Sequence, residues 1–280
     1  MEWVLIIIAS VFLICALIEW GCLVKQHRII RRIKGLADEA VASKRQIIIE
    51  QHRNRQLKQE MTSNISHELK TPVSSIRGYL EILLGDKPID DEKRHFFLER
   101  CYSQTIRLSD LIRDVSLINK LEESSDLFLK EKVNVQQVAE EAICELEYIS
   151  TEHQIRILNH LNPNIEVQGN KGLIYGIFRN LIENAINYAG DGVRVEVNCY
   201  KEDDEMIYLQ VFDTGRGVDN QYLEKIFDRF QRIDEGRSRK NGGTGLGLSI
   251  VKHAVHFHGG TIYAKNRDEG GLEFFFSLKK

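Results

Sequence analysis

The chain has 280 residues, 42% of them hydrophobic and 28% charged, with a formal net charge of −3 at pH 7. This length allows one large domain or two small ones, and so small a net charge gives no support for a nucleic-acid partner. The five cysteines form no CxxC pair and have no histidine at metal-ligand spacing, so we predict reduced, packed thiols at Cys15, Cys22, Cys101, Cys144 and Cys199.

Residues 3–24 form a long apolar run, close to the ~20 residues that cross ~30 Å of hydrocarbon. Basic residues follow the run between Lys25 and Lys34 and none precede it, which predicts a membrane anchor at residues 1–24 with the rest of the chain in the cytoplasm. A cleaved signal peptide fits less well, because its positively charged start is missing. About two residues precede the run, so we expect no extracellular sensor domain. Glu19, inside the run, is either an interfacial carboxylate or a polar contact with a second helix.

Two helical segments follow the anchor. Residues 25–56 carry apolar side chains near heptad spacing, with polar residues at some core positions, which predicts a parallel coiled-coil signalling helix. The alternative is a single amphipathic helix lying against the membrane. Residues 57–124 are predicted to form a helical hairpin, broken around Gly85 and resumed with Asp90 or Asp91 as the helix cap. Since one hairpin leaves its apolar stripe exposed, we predict a homodimer with a four-helix bundle.

Residues 130–280 have the pattern of a separate domain. Helical spacing predicts helices at 133–148 and 170–188, and alternating apolar residues predict strands at 155–158, 193–200, 206–212, 260–265 and 274–278. The predicted fold class is therefore α+β. It combines an N-terminal transmembrane helix, a coiled-coil linker, a dimeric four-helix bundle, and an α/β sandwich with helices on one face of a mixed sheet.

Two motifs in this last domain suit a nucleotide site. Asn180 and Asn184 lie four residues apart on a helix, so their amides share a face, and amide oxygens can hold Mg²⁺ while it binds phosphate. Asp213 follows a strand and can accept a hydrogen bond from the amine of adenine. Gly215 and Gly217 would let the backbone approach the base closely.

A third motif is the glycine-rich turn at residues 242–248, which leads into a helix. The N–H groups at such a helix start point towards anions, which suits a triphosphate. The turn is not the GxxxxGK[ST] phosphate loop, and no strand precedes it as in dinucleotide-binding folds.

His67 differs from the other eight histidines, which we assign to the surface or to packing. Neutral imidazole is nucleophilic near neutral pH, because its unperturbed pKa is about 6.5. Glu68 can accept the proton of the second ring nitrogen and orient the ring. Pro72 has no N–H to donate to the Glu68 carbonyl, so a helix kink is predicted that exposes His67.

In their order and spacing, the nucleotide motifs resemble the Bergerat ATP-binding fold, which histidine kinases share with gyrase, a chaperone ATPase and mismatch-repair ATPases. The segment from Phe227 to Phe230 resembles the phenylalanine motif of the histidine-kinase branch, and residues 230–242 correspond to a mobile ATP lid. The resemblance implies that Asn180 and Asn184 serve Mg²⁺ and phosphate and that Asp213 recognises adenine. It further implies nucleotide contacts from Tyr188, Gly215, Gly217, Arg229, Gly243, Thr244, Gly245, Leu246 and Gly247.

Two residues decide how this resemblance is interpreted. Asn187 stands where family members often have Lys, Arg or His, so either Arg229 or Arg232 supplies the phosphate-contacting cation or ATP binds more weakly.

Asn180 stands where the hydrolysing branches carry a glutamate that activates water, and an amide cannot take a proton. Glu183 lies ~100° around the helix from Asn184 and is a poor substitute. The γ-phosphate therefore awaits another nucleophile.

The segment 66–72 resembles the phosphoacceptor box of the largest histidine-kinase class, and the whole resemblance covers about residues 52–280. It implies a membrane-bound sensor histidine kinase of a two-component system, single-pass in the plasma (inner) membrane. ATP would phosphorylate His67 in a homodimer, and an aspartate of a separate response regulator would receive the phosphate, because no receiver domain follows. His67, Glu68 and Thr71 also match kinases that dephosphorylate their partner, with Thr71 positioning water.

Three other functions remain open at this point. A gyrase-type or chaperone-type ATPase is disfavoured by Asn180 and by the separate phosphoacceptor hairpin. A degenerate kinase acting as a dimeric scaffold is supported only by Asn187. A net phosphatase is the third possibility.

Overall fold

The computed structural model describes the backbone at residues 2–85, 88–123, 128–231 and 243–280. Before residue 58 it describes side chains only at 19–21, 23, 25–26, 34, 44–53 and 55–56. The chain divides into two compact units, residues 1–63 and residues 64–280.

The first unit consists of the N-terminal part of helix α1 (Glu2–Leu83). The helical prediction for residues 25–56 is confirmed, and the pairing into a coiled coil stays a prediction. Within the described part of the chain, no helix is long and apolar enough to span a membrane. Most side chains of the apolar run at 3–24 lie outside the described residues, so the anchor also stays a prediction.

The second unit starts with a helical hairpin made by the end of α1 and by α2 (Asp91–Glu123). Asp90 caps α2, because its Oδ1 accepts a hydrogen bond from the Lys93 backbone N–H at 2.8 Å and its Oδ2 pairs with Lys93 Nζ. These bonds lower the pKa of the Asp90 carboxyl. The helix α1 continues through Pro72, and the predicted kink stays a prediction.

The C-terminal domain is a two-layer sandwich. Its five-stranded sheet is made of β2 (Arg156–Asn159), β4 (Arg194–Glu202), β5 (Met206–Asp213), β6 (Ile262–Asn266) and β7 (Leu272–Lys279). The strand order is β2-β4-β5-β7-β6, with β2 parallel to β4 and the other neighbours antiparallel. The helices are α3 (Val135–Glu152), α4 (Lys171–Tyr188) and α5 (Gly247–Phe257).

The core lies between these helices and one face of the sheet. Ile207, Leu209 and Val211 alternate along β5 and are fully buried, as the period of two in a strand requires. They belong to the same apolar cluster as Ile177 and Phe178 of α4. The five predicted strands and the mixed helix-and-sheet fold of this domain are thus confirmed.

A second, two-stranded sheet was missed by the sequence analysis. The strand β1 (Glu131–Asn134) pairs antiparallel with β3 (Glu166–Gly169), with Val133 opposite Val167. The prediction of a helix from residue 133 was therefore wrong by two residues at its start. Asn134 is the helix cap, since its Oδ1 accepts from the Gln137 N–H at 2.9 Å.

The cysteine prediction is confirmed in part. Cys101, Cys144 and Cys199 are free thiols, and the first and last are partly buried. Cys144 is exposed on α3, so it is not the packing residue that was predicted. Cys15 and Cys22 have side chains outside the described residues.

Candidate functional site

A cavity of about 580 Å³ lies between α2 of the hairpin and the C-terminal domain. Each of the three predicted nucleotide motifs contributes to its wall. The predicted residues that line it are Asn180, Asn184, Tyr188, Asp213, Gly217, Gly243, Thr244, Gly245 and Gly247. The opposite wall is formed by α2 residues that the sequence analysis did not assign to a site.

The helix α4 presents Asn180, Asn184 and Asn187 to the cavity because its other face is apolar and buried. The Asn180 side-chain NH₂ donates to the Gly176 carbonyl at 2.7 Å. A Cβ added at Gly247 would lie 2.5 Å from Asn180 Oδ1, so any larger residue there would have to displace the Asn180 amide. Two amide oxygens on one helix face fit Mg²⁺, which is commonly held by few protein ligands together with phosphate oxygens. Among the described residues, no group of three or more acidic, cysteine or histidine side chains could hold a metal.

Asp213 ends β5 at the floor of the cavity and is 4% exposed. Its Oδ1 accepts hydrogen bonds from the N–H of Gly215 at 2.8 Å and of Leu272 at 3.4 Å. Burial raises the pKa of the Asp213 carboxyl, although both N–H donors act in the opposite direction. Gly217 has a φ of 68°, a conformation that favours glycine, and Gly215 packs against Ala189 instead of lining the cavity.

The glycine-rich turn connects the cavity to the hairpin. The Thr244 hydroxyl donates to Asp114 Oδ2 on α2 at 2.9 Å and accepts from the Leu246 N–H at 3.2 Å. Leu246 is fully buried and does not itself line the cavity. The Gly245 carbonyl accepts from the N–H of Phe230 at 2.8 Å. Of the predicted lid at residues 230–242, residues 232–242, which include Arg232 and Gly242, lie outside the described residues.

Arg229 is not brought to the cavity. Its guanidinium contacts the Glu122 carboxylate at the end of α2 and lies 3.2 Å from His253 Nε2. This position joins the C-terminal domain to the hairpin. Among the residues that the structure describes, the arginines that line the cavity are Arg107, Arg113, Arg179 and Arg216.

Acidic side chains also face the cavity, and the sequence analysis did not assign them to it. Asp114 of α2 is half-buried, and burial raises the pKa of its carboxyl while the Thr244 hydroxyl lowers it. Burial likewise raises the pKa of the Glu183 carboxyl, against the attraction of Arg179 at 3.0 Å. The α2 stripe of Arg107, Asp110 and Asp114, spaced at helical intervals, was the available sequence signal for this wall.

His67 lies on the exposed face of α1, next to the half-buried Glu68. Glu68 Oε2 is 3.4 Å from Arg107 Nη2, and the two side chains are 20% and 16% exposed. The Thr71 hydroxyl donates to the His67 carbonyl at 3.3 Å. Because Arg107 also lines the cavity, one side chain connects the surroundings of His67 to the nucleotide motifs.

Comparisons with known proteins agree with this arrangement. Residues 57–124 match the His Kinase A (phospho-acceptor) domain, and residues 169–280 match the histidine kinase-, DNA gyrase B-, and HSP90-like ATPase family. The fold and site thus define a phosphoacceptor hairpin joined to an ATPase-type nucleotide domain. The chain belongs to the two-component sensor histidine kinases.

Individual relatives give the extent of the similarity. The chain is 32% identical over 232 residues to the sensor histidine kinase WalK of Bacillus subtilis, covering 82% of this chain and 38% of WalK. It is 33% identical over 221 residues to the sensor-like histidine kinase SenX3 of Mycolicibacterium smegmatis, covering 79% of this chain and 57% of SenX3. A solved complex of the histidine kinase ThkA with the response regulator protein TrrA matches in fold, with a TM-score of 0.62, 22% identity, and coverage of 79% of this chain and 61% of that one.

Proposed function

We propose that this protein transfers the γ-phosphoryl group of ATP to His67. The observation that carries the proposal is the cavity itself, because nucleotide motifs form one wall and α2 forms the other. On that second wall, Arg107 pairs with Glu68, the chain neighbour of His67. An ATP site and a candidate phosphoacceptor are thereby connected within one compact unit.

The cavity residues have separate roles in binding ATP. Asp213 would accept a hydrogen bond from the adenine amine, and the start of α5 would direct N–H groups at the phosphates. Asn180 and Asn184 would hold Mg²⁺, whose charge neutralises the phosphate oxygens. Arg107 places a permanent positive charge on the same cavity, which offsets the absence of a cation at Asn187.

The transfer step uses both ring nitrogens of His67. The lone pair of one nitrogen attacks the γ-phosphorus, the N–P bond forms, and the bond from phosphorus to the bridging oxygen breaks. The electron pair of that bond leaves on ADP. The proton of the other ring nitrogen passes to the Glu68 carboxylate, so atoms and charge balance.

We also propose a homodimer, a response-regulator partner and a membrane anchor. The hairpin has an apolar groove between its helices, lined in part by Ile65, Leu69 and Leu111, and exposes Ile112 at 57% beside it, which a four-helix bundle would cover. A regulator aspartate would receive the phosphate from exposed His67, and Thr71 would position water for the reverse activity. The apolar run at residues 3–24 supports a single-pass anchor in the plasma (inner) membrane.

The transfer is tested by incubating the full chain in detergent with γ-labelled ATP and Mg²⁺. We expect acid-labile, alkali-stable label on the protein, lost in His67→Ala and retained in His95→Ala, which removes an exposed histidine of α2. Steady release of phosphate without protein label would instead identify an ATPase. ATP binding without either product would identify a scaffold.

A further inference from the structure

Arg107 occupies a position that the nucleotide motifs do not explain. Its side chain is 16% exposed, and its Nη2 contacts Glu68 Oε2 across the hairpin, 39 residues away in the chain. The same side chain lines the cavity together with Asn180 and Asn184. Of the other cavity arginines, Arg179 is paired within the C-terminal domain with Glu145 and Glu183.

The chemistry of the guanidinium suits both contacts at once. It is planar, permanently charged and carries five N–H donors, so one edge can hold a carboxylate while another meets a phosphate oxygen. The pair with Glu68 is largely shielded from solvent, and a shielded pair is screened by salt less than a surface pair. A side chain fixed in this way is pre-organised for an incoming anion.

We propose that Arg107 is a positioning residue for phosphoryl transfer. It holds the Glu68 carboxylate, one residue after His67, and presents its positive charge to the γ-phosphate of ATP in the cavity. This inference rests on the proposed kinase function. It adds that the hairpin supplies part of the nucleotide site, and that the link from nucleotide to phosphoacceptor runs within one chain.

The two roles respond differently to substitution. Lysine keeps the charge of Arg107 and loses the planar fork, whereas glutamine loses both. Recognition of the γ-phosphate depends on the charge, and alignment of Glu68 depends on the fork. Positioned acid–base groups contribute about 100- to 10,000-fold to rates, so we expect Arg107→Gln to slow phosphorylation of His67 by about 100-fold at saturating ATP.

The first measurement is independent of catalysis. Dissociation constants of ADP and of a non-hydrolysable ATP analogue are compared for the full chain by titration calorimetry with Mg²⁺. We expect the preference for the triphosphate to fall about tenfold in Arg107→Gln and to persist in Arg107→Lys. Arg100→Gln is the matched control, because Arg100 is an exposed arginine of the same helix that lies over the Phe96 ring, and its preference should equal that of the wild type.

The second measurement is a double-mutant cycle on the rate of His67 labelling at saturating ATP, where a loss of ATP affinity no longer lowers the rate. If Arg107 acts through Glu68, adding Arg107→Gln to Glu68→Gln should slow labelling by at most about threefold. Substitutions of residues that act as a unit are non-additive. Arg107→Lys should recover the triphosphate preference without recovering the rate. Thermal melting identifies a variant that fails to fold. If Arg107→Gln fails to fold, the labelling rate and triphosphate preference of Arg107→Lys are compared with those of Arg100→Gln instead.

The outcomes separate this proposal from the proposed function. Wild-type labelling with an Arg107→Gln rate within twofold, or fully multiplicative effects in the cycle, would overturn the role of Arg107. Failure of the wild type to label His67 would overturn the kinase function instead. In that case an unchanged triphosphate preference in Arg107→Gln would also overturn the phosphate contact.

Discussion

Gly247 is the most direct test of whether the glycine-rich turn and α4 form one nucleotide site. A Cβ at this position would lie 2.5 Å from Asn180 Oδ1. The Asn180 amide is also tied to the Gly176 carbonyl, at 2.7 Å. Gly247→Ala must therefore displace the amide, although Gly247 is the first residue of α5, where alanine is otherwise tolerated.

The expected magnitude follows from these two contacts. Either the amide moves and loses its hydrogen bond, which costs ~1 kcal/mol, or the extra methyl is forced into a packed position, which costs ~1–3 kcal/mol. If ATP binding must restore the Asn180 position, a penalty of ~1–3 kcal/mol raises the Kd of Mg²⁺–nucleotide by about 5- to 150-fold. The free energy of unfolding should fall by a similar amount.

The assay is titration of the full chain with a non-hydrolysable ATP analogue and Mg²⁺, with thermal melting alongside. Gly176→Ala is the matched control, because a Cβ there has no neighbour within 4 Å and the position lies inside α4. We expect an unchanged Kd for this control and a gain of ~0.5–1 kcal/mol in stability from its reduced unfolded-state entropy. A wild-type Kd in Gly247→Ala would refute the close packing of the two motifs.

Three further predictions follow. Asp213→Asn should weaken ATP binding at least tenfold in calorimetry. Wild-type binding should also weaken as the pH falls through the pKa of Asp213, which burial raises above its usual 3.8, because protonation removes the hydrogen-bond acceptor. ATP binding that does not change with pH down to pH 4 would contradict this. His258 Nδ1 donates to the Ala254 carbonyl and Nε2 accepts from the Asn170 N–H, and burial lowers the pKa of this imidazole. The free energy of unfolding, measured in urea, should therefore be highest above about pH 6.5 and fall below it, because the unfolded chain binds the proton more readily. The fall should be smaller in His258→Gln. In a mixed dimer, verified by two tags, one chain lacks the acceptor (His67→Gln) and the other lacks the ATP site (Asn184→Asp). Incubation with γ-labelled ATP should leave both chains unlabelled, since the proposed route runs within one chain. Label on the Asn184→Asp chain would show transfer between chains.

The spacing of apolar residues was enough to predict the long helices and strands, because these elements are buried on a regular pattern. The helix α4 and the strand β5 each bury one face, so their apolar residues repeat at 3.6 or two residues. The strand β7 is buried along nearly all of its length and shows as a short apolar run. The short pair β1 and β3 has only four residues per strand. Too few alternations fit in four residues to establish a period, and the pairing depends on contacts more than thirty residues apart.

In the cavity, too, the part built from local sequence patterns was predictable and the part built by packing between distant segments was not. The residues of the nucleotide motifs come from local patterns, and the structure brings most of them to one cavity. The opposite wall depends on how the C-terminal domain packs against α2, which no local pattern contains. A stripe such as Arg107, Asp110 and Asp114 looks in sequence like an ordinary solvated helix face. Arg229 was misplaced for the same reason, because its contacts Glu122 and His253 are distant in the chain.

The packing against α2 also explains why the geometry favours transfer to histidine over hydrolysis. Water attack needs a base beside the γ-phosphate, and Asn180 cannot take a proton. The one carboxylate of α4 at the cavity, Glu183, is paired with Arg179 at 3.0 Å, so its oxygen is engaged within the domain. Glu68 stands on the hairpin instead, one residue after the exposed His67, and is paired with Arg107. The candidate base therefore belongs to the same hairpin as the nitrogen nucleophile, whereas the one carboxylate of α4 at the cavity is already paired.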